Sequence, residues 1–339
     1  MTSVTVGLDT AKSIFHVVEK NTSGRILKKV KLPRRKLVNY FANKEACTIA
    51  IEACGACHYW ARAFSQLGHT VMIIAPQYVA QHRIGNKNDF NDAQALADVA
   101  QREDVRIVPP KSIEQQDAQL LHRVRERYVK QRTALGNQIR GLLAEYGVVI
   151  PRGVSSLRKA LPFVLEDSEN ELSSLVRMML DELNNELISW DDKIKNIDKF
   201  FVQQARENEQ CQKLQTMTGV GPLISSILWV ALGDGKNFKN GRHFAAWCGL
   251  VPKQHSTGDK ARLLGISKRG NAYLRTPLIN GARSALKHAK NKDDRLSVWA
   301  VNLEARSGFN KACVALANKM ARMAWAMVIK QEEYKVQTV

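Results

Sequence analysis

The sequence predicts an α/β domain at the N-terminus followed by a mainly helical remainder. Strand-like and helix-like apolar segments alternate over the first hundred residues, whereas long stretches with helical 3-and-4 spacing follow from about residue 113. At roughly 150 residues per domain, the length of 339 residues suggests about two domains, or three if one is a helical linker. The expected architecture is therefore a small sheet domain joined to long helices.

The N-terminal segments follow the order β-β-β-α-β-α-β-α. Val4, Val6 and Leu8 alternate with small or polar residues, which indicates a half-buried strand that ends at Asp9. The later strands are predicted at 14–19, 25–32, 48–51 and 71–74, with helices at 35–43, at 59–67 and from the capping residue Asn88 to about 100. The uninterrupted apolar run at 71–74 is typical of a strand buried on both faces of a parallel sheet.

Two long helices are predicted in the middle of the chain, as an antiparallel or an intermolecular coiled coil. The apolar positions of the first are Leu121, Val124, Tyr128, Leu135 and Leu142, and those of the second are Val176, Met179, Leu183, Leu187, Trp190, Ile194, Ile197 and Phe201. After residue 214 the pattern is again mainly helical.

The net charge is the unusual feature of the composition. Fifty-one Lys and Arg against thirty-two Asp and Glu give a formal charge of +19, which makes nucleic acid the first partner to consider. No apolar run approaches about 18 to 20 residues, and the N-terminus lacks the pattern of a secretory signal. We therefore expect a cytosolic protein that does not span a membrane.

Positive charge is concentrated in two segments. Between residues 121 and 160, nine basic residues accompany only two acids, and a predicted loop at 253–275 holds six basic residues and one acid. A run of charges on a helix is ordinarily a solvated face, but the imbalance favours contact with phosphates.

A glycine-containing turn, Thr218-Gly219-Val220-Gly221-Pro222, lies between two helical segments. Such a turn can present backbone N–H groups to a phosphate, as helix-hairpin-helix modules do. A plain connection between two helices is an equally good interpretation.

Four carboxylates form the candidate catalytic group. Asp9 and Glu52 end predicted strands, while Asp89 and Asp92 lie three residues apart on the first turn of a helix. If the strands are parallel neighbours, the first two acids emerge at the same edge, and the helix pair can close over them. Four such acids repel one another unless Mg²⁺ or Mn²⁺ neutralises them, and two ions about 4 Å apart can clamp a scissile phosphate. Taken singly, each acid is also compatible with a turn or with a helix N-terminus.

The motifs around these acids, together with others near the C-terminus, resemble those of one family. They are Gly7-Leu8-Asp9-Thr10-Ala11-Lys12, Ile51-Glu52-Ala53-Cys54-Gly55, Asn86-Lys87-Asn88-Asp89-Phe90-Asn91-Asp92-Ala93, Gly219-Val220-Gly221-Pro222, Phe244-Ala245-Ala246-Trp247-Cys248-Gly249-Leu250-Val251-Pro252, His255-Ser256-Thr257-Gly258 and Ile266-Ser267-Lys268-Arg269-Gly270-Asn271. In this order they resemble the DEDD (RuvC-like) insertion-sequence transposases of the bridge-RNA-guided serine recombinase family, insertion sequence 110/1111 type, whose relatives include the pilin-gene invertase.

The resemblance implies three regions. They are an α/β RNase H-like (RuvC-like) DEDD domain at 1–110, a coiled-coil linker and oligomerisation region at 111–207, and a mainly helical transposase domain at 208–339 with a helix-hairpin-helix-like motif and a serine loop. The implied setting is the bacterial cytoplasm, at the nucleoid.

The resemblance also implies an activity, cofactors and partners. By this resemblance, Asp9, Glu52, Asp89 and Asp92 are expected to bind Mg²⁺ or Mn²⁺, and Ser256 is expected to attack DNA to form a covalent phosphoserine intermediate before strand exchange and religation. Thr257 is the alternative nucleophile, because some relatives place theirs directly before the glycine. The implied partners are a structured guide (bridge) RNA, donor and target double-stranded DNA, and further copies of the chain, as a dimer and then a synaptic tetramer. The expected nucleic-acid contacts are Arg123, Arg127, Lys130, Gly219, Gly221, Lys260, Arg262, Lys268 and Arg269.

Two other functions are compatible with the residues. A RuvC-like, structure-specific DNA nuclease would need only the four acids and a metal-activated water. A non-catalytic nucleic-acid-binding scaffold would need only the basic helices.

Overall fold

The computed structural model describes residues 4–83, 85–86, 88–102, 105, 107–257 and 260–338. The chain divides into two compact units, Met1–Glu114 (unit 1) and Gln115–Val339 (unit 2), each with its own apolar cores. The finer division into three regions, with boundaries after 110 and 207, stays a prediction.

Unit 1 is built on a mixed sheet. In the described residues its strands are β1 (Thr5–Asp9), β2 (Ile14–Lys20), β3 (Ile26–Pro33), β4 (Thr48–Glu52), β5 (Thr70–Ile74) and β6 (Ile107–Val108). Their spatial order is β3-β2-β1-β4-β5-β6, with β1, β4 and β5 parallel and the other pairings antiparallel. The parallel pairing of β1 with β4 meets the condition under which Asp9 and Glu52 emerge at the same edge of the sheet.

Four helices accompany the sheet in the described part of unit 1. They are α1 (Arg34–Ala42), α2 (Cys57–Gln66), α3 (Pro76–His82) and α4 (Asp89–Ala100). The eight predicted elements are all present, but α3 and β6 were not predicted. The Pro at the first position of α3 is a helix-start signal that sequence reading could have used, whereas β6 is too short to show a periodic pattern.

Helix α4 lies directly on β1 because Gly7 has no side chain. A Cβ placed on Gly7 would be 1.8 Å from the Ala93 carbonyl oxygen of α4. Val6 and Leu8, on either side of this glycine, are fully buried. The close crossing brings the start of α4 over the carboxyl end of β1.

Unit 2 is mainly helical. Its helices are α5 (Ile113–Ala144), which begins two residues before the unit boundary, α6 (Val154–Glu166), α7 (Ser174–Glu207), α8 (Glu209–Gln215), α9 (Pro222–Leu232), α10 (Gly241–Trp247), α11 (Ala272–Ala289), α12 (Arg295–Ser307) and α13 (Phe309–Lys330). This agrees with the predicted helical remainder.

The two predicted long helices are α5 and α7, and they run antiparallel within the chain. Arg125 of α5 bonds to Asp198 at 2.6 Å and Arg132 bonds to Asp191 at 2.8 Å, so the partner number falls as the α5 number rises. Regular coiled-coil packing and an intermolecular pairing stay predictions.

The buried positions of α5 and α7 differ partly from the predicted ones. Leu142 and Met179 are 41% and 43% exposed, whereas their neighbours Leu143 and Leu180 are buried. The reason is α6, whose Leu157 shares the same apolar cluster, so each long helix packs against more than one neighbour.

The segment predicted as a basic loop contains a β-hairpin instead. Strands β7 (Pro252–Thr257) and β8 (Lys260–Ile266) pair antiparallel. Because β7 carries polar residues that are exposed along its whole length, it shows none of the apolar alternation by which strands are predicted.

One described helix, α13, is long and apolar enough to cross a membrane by length and composition alone, which the sequence reading overlooked. Half of its most apolar window is buried inside the protein, and Leu316, Ala317 and Met320 lie in the main apolar cluster of unit 2. Its apolar character is that of a core helix.

Candidate metal centre

Asp9 and Glu52 leave the sheet at the same edge. Leu8 pairs with Ile51 in the parallel ladder of β1 and β4, so the next residue of each strand is one of the two acids. Both acids are half-buried. The carboxyl ends of parallel strands are where α/β proteins most often place their ligands.

The start of α4 contributes Asp89 and Asp92. Asn88 caps this helix, its Oδ1 accepting a hydrogen bond from the Phe90 N–H at 2.9 Å. A carboxylate oxygen of Asp89 lies within 4.8 Å of one from Asp9. Asp92 is bonded to Arg83 at 3.2 Å and its side chain is only 17% exposed.

The four acids influence one another electrostatically. Burial and then, in decreasing order, the negative charges of Asp89, Asp92 and Glu52 together raise the pKa of Asp9 to about 6. The structure thus brings together the four carboxylates that the sequence singled out. Such a group is costly without a counter-charge, and its oxygen atoms are the ligands that Mg²⁺ and Mn²⁺ prefer.

Sequence reading missed His16, which lies beside this group. His16 is opposite Asp9 in the antiparallel pairing of β1 with β2, and its Nδ1 is 3.4 Å from Asp89 Oδ2. Asp9, His16 and Asp89 each offer one ligand atom, and these atoms lie within 4.8 Å of one another, so they can hold a metal ion. The strand register that creates this contact is not visible in a sequence pattern.

The candidate nucleophile Ser256 is on the β7–β8 hairpin of unit 2. It is exposed, and its Oγ accepts a hydrogen bond from Gln254 Nε2 at 2.9 Å. His255 pairs with Arg262 across the hairpin, so these two share a face with Thr257, and Ser256 lies on the other.

Three of the predicted hairpin-region cations, Arg262, Lys268 and Arg269, are exposed. Lys268 adopts the left-handed region with φ of 53°. The Lys260 side chain and Gly258 lie outside the described residues.

Arg123, Arg127 and Lys130 lie four and three residues apart on α5 and are all exposed. This spacing places them on one face of the helix. Lys130 also forms a salt bridge with Glu126 at 2.8 Å.

Other basic residues of the same segment are neutralised by α7. Arg125 pairs with Asp198, while Arg132 and Arg158 both pair with Asp191. The charge imbalance of residues 121–160 is therefore smaller in the fold than in the sequence, because acids from a later helix reach this segment.

Gly219 and Gly221 have different surroundings. Gly219 has φ of 85°, and a Cβ there would be 2.6 Å from the Gly281 carbonyl oxygen of α11. Gly221 is the N-cap of α9, and among the described atoms none lies within 4 Å of a Cβ at this position. Packing explains the first glycine, while the second leaves the start of α9 open.

Comparison with known proteins identifies the class. A DEDD-type family model described as Transposase matches residues 6–148, which contain all four acids, and the Transposase IS116/IS110/IS902 family model matches residues 211–297, which contain Ser256. These matches define a DNA transposase with a DEDD-type domain.

Individual relatives match this chain, two of them over nearly its whole length. The transposase for insertion sequence element IS1111A of Coxiella burnetii is 42% identical over 330 residues, 97% of this chain and 91% of the relative. A probable family 20 transposase of Pseudomonas aeruginosa is 41% identical over 331 residues, 97% and 98% of the two chains. A pilin gene-inverting protein of Moraxella bovis is 26% identical over 252 residues, 70% of this chain and 66% of the relative.

The chain therefore belongs to the IS110/IS1111 family of insertion-sequence transposases. Membership implies an enzyme that cuts and rejoins DNA, and the DEDD-type domain indicates dependence on a divalent metal ion. The predicted family resemblance is confirmed at this level.

Proposed function

We propose that this transposase is an RNA-guided, site-specific DNA recombinase that uses divalent ions and a serine nucleophile. The observation that carries the proposal is the convergence of Asp9, Glu52, Asp89 and Asp92 at one edge of the unit 1 sheet, where burial and then the charges of the other three acids raise the pKa of Asp9. In a protein with a net charge of +19, four carboxylates placed close together indicate a specific role for these residues.

The four carboxylates hold Mg²⁺ or Mn²⁺ in this proposal. Bound ions of this kind supply positive charge that stabilises the attacking and the leaving oxygen of a phosphodiester. Arg83 forms an ion pair with Asp92, and the Asn88 cap determines where α4 begins and therefore where the backbone of Asp89 lies.

Ser256 serves as the nucleophile. Its Oγ loses a proton and forms a bond to phosphorus, while the bond from phosphorus to the 3′ oxygen breaks and that oxygen takes up a proton. The products are a free 3′ hydroxyl and a protein-bound 5′ phosphate. Attack by a 3′ hydroxyl from another strand reverses these steps, so strands rejoin without ATP.

A metal-dependent nuclease is the second candidate. Ser256 Oγ accepts a hydrogen bond from the Gln254 side-chain amide, which is not a base, and the carboxylates suffice for hydrolysis by water. The two functions differ in their product, since a serine gives a covalent protein–DNA adduct and water gives free ends.

A suicide DNA substrate that traps the adduct distinguishes these functions. We expect a covalent band with the wild-type protein, no band with Ser256→Ala, and most of the band with Thr257→Ala. The reverse result would move the nucleophile to Thr257. Free cleaved ends without any adduct would favour the nuclease, and uncut DNA would favour a binding scaffold.

The proposed partners are a structured guide RNA, donor and target DNA, and further copies of the chain in a dimer and a synaptic tetramer, in the bacterial cytoplasm at the nucleoid. The exposed Arg123, Arg127 and Lys130 face supports RNA binding. Sequencing the RNA that copurifies with the protein expressed from its element tests this part. Sequence-specific recombination by RNA-free protein would contradict it.

A further inference from the structure

His16 is a buried histidine with one unsatisfied ring nitrogen. His16 is only 7% exposed to solvent. Its imidazole ring packs edge-to-face against the Phe90 ring, with 4.7 Å between the ring centroids. Nδ1 points toward Asp89 but has no hydrogen-bond partner among the described residues.

Another histidine of unit 1, His69, shows what a structural imidazole looks like in this fold. His69 is 4% exposed, and both ring nitrogens have partners, the Phe41 carbonyl oxygen at 3.0 Å and the Cys47 N–H at 3.3 Å. Leaving a buried polar atom without a partner costs about 1–3 kcal/mol. The Nδ1 atom of His16 lies 3.4 Å from Asp89 Oδ2 without forming a hydrogen bond, and it therefore requires a different explanation from packing.

We propose that His16 Nδ1 is a metal ligand alongside Asp9 and Asp89, which gives the transposase centre a mixed nitrogen and oxygen ligand set. This inference rests on the proposed function, because it assumes that the acids bind a divalent ion. The antiparallel register of β1 and β2 places His16 beside Asp9, and the crossing of α4 places Asp89 against the same ring.

The chemical type of the ligand atoms determines which divalent ion the centre binds more tightly. Carboxylates alone suit Mg²⁺ and Mn²⁺, whereas imidazole binds first-row transition ions better than Mg²⁺. The centre is therefore expected to bind Mn²⁺ more tightly than Mg²⁺, and His16 is the residue that sets this preference.

The test uses Mn²⁺ as the probe on the full-length protein. Calorimetric titration measures Mn²⁺ and Mg²⁺ affinity for the wild type, for His16→Leu, and for His82→Leu as the control, since His82 already bonds to the Tyr78 carbonyl oxygen at 2.8 Å. His16→Leu should lower Mn²⁺ affinity at least about tenfold, lower Mg²⁺ affinity less, and leave the control unchanged.

A spectroscopic measurement on the wild type removes dependence on how the variant folds. Electron spin echo spectra of bound Mn²⁺ should show ¹⁴N modulation that changes to the ¹⁵N pattern when only histidine is ¹⁵N-labelled. This modulation should vanish in His16→Leu.

These measurements distinguish failure of the His16 proposal from failure of the metal centre as a whole. Tight Mn²⁺ binding with no nitrogen coupling, and with unchanged affinity in His16→Leu, would overturn the role of His16 while leaving the acid centre standing. Absence of Mn²⁺ binding to the wild type, with Asp9→Asn behaving identically, would overturn the metal centre as a whole and His16 with it.

Discussion

The acidic edge of unit 1 (Asp9, Glu52, Asp89 and Asp92) and the basic face of α5 in unit 2 (Arg123, Arg127 and Lys130) differ in the sign of their charge and in how closely the charges are spaced. At the sheet edge, strand ends and a helix start bring four carboxylates together, and burial together with the charges of the other three raises the pKa of Asp9. On α5, by contrast, Arg125 and Arg132 are neutralised by α7, and Arg123, Arg127 and Lys130 remain spread along one exposed face. Concentrated negative charge fits small divalent cations, whereas dispersed positive charge fits a long polyanion.

The largest expected effect is on the acidic edge. Asp9→Asn, Glu52→Gln, Asp89→Asn and Asp92→Asn should each reduce strand exchange at least about a hundredfold, because each removes a group that holds charge against the reacting phosphate. Folding and nucleic-acid binding should persist, since the substitutions relieve repulsion, which at Asp92 offsets the loss of the ion pair with Arg83. Glu45→Gln, an exposed acid of the same unit, is the control and should stay fully active. Normal activity in the variant that carries all four substitutions would refute the claim that these carboxylates are required for strand exchange.

The next effect concerns the basic face of α5. Affinity for the copurifying RNA should fall by roughly a thousandfold or more between about 50 mM and about 200 mM salt if six or more phosphates are contacted. Replacing Arg123, Arg127 and Lys130 by Ala should reduce the slope of log affinity against log salt by about 2 to 3.

The matched control for that triple variant removes three positive charges from α7. Lys193, Lys195 and Lys199 are all exposed there, and their replacement by Ala changes net charge equally. An equal loss of salt dependence in both triple variants would show that overall charge, rather than the α5 face, binds the RNA.

The glycine turn gives a smaller effect, on stability. Gly219→Ala should lower the free energy of unfolding by about 1–3 kcal/mol, because the residue has positive φ and its Cβ would meet the Gly281 backbone. Gly221→Ala should change it by less than about 1 kcal/mol, since its surroundings are open. Urea unfolding of both variants measures this, and equal losses would contradict the packing explanation for Gly219.

The smallest effect is the pH dependence of metal-free stability. The pKa of Asp9 is about 6 in the folded protein, above the ordinary carboxyl value of 3.8. The stabilising contribution of protonated Asp9 is therefore complete below pH 3.8 and is lost as pH rises through about 6.

Asp9→Asn stays neutral and should not show this loss. Relative to wild type, it should gain stability between pH 4 and pH 7.5 by on the order of 1 kcal/mol, a figure reduced for the half-exposed position of the carboxyl. Urea unfolding in the presence of EDTA measures the difference. Parallel pH profiles for the two proteins would show that Asp9 has an ordinary pKa.

The sequence predicted the acidic edge because its signals are local. Alternation located β1, apolar runs located β4, and Asn88 marked the start of α4, so three short segments placed all four acids. His16 could not be found in this way, because its contact depends on the register between β1 and β2 and on the approach of α4 over Gly7. The same limit applies to Asp191 and Asp198, which neutralise α5 from far along the chain.

The hairpin of Ser256 shows a different limit. Strand prediction relies on one buried face, and neither face of β7 is buried, so the polar sequence was interpreted as a loop. Ser256 and its neighbours on the hairpin were identified through family resemblance, whereas the structure was needed to show how they are arranged. The register then separates Ser256 from His255 and Arg262, which local sequence does not reveal.

Strand exchange with and without divalent ions tests the central claim most directly. Purified protein with its RNA and DNA partners should give no recombinant product in EDTA, and should recover activity when Mg²⁺ or Mn²⁺ is added in excess of the chelator. Asp9→Asn should not recover under the same conditions. Full activity of the wild type in EDTA would contradict the assignment of the unit 1 carboxylates as a metal centre.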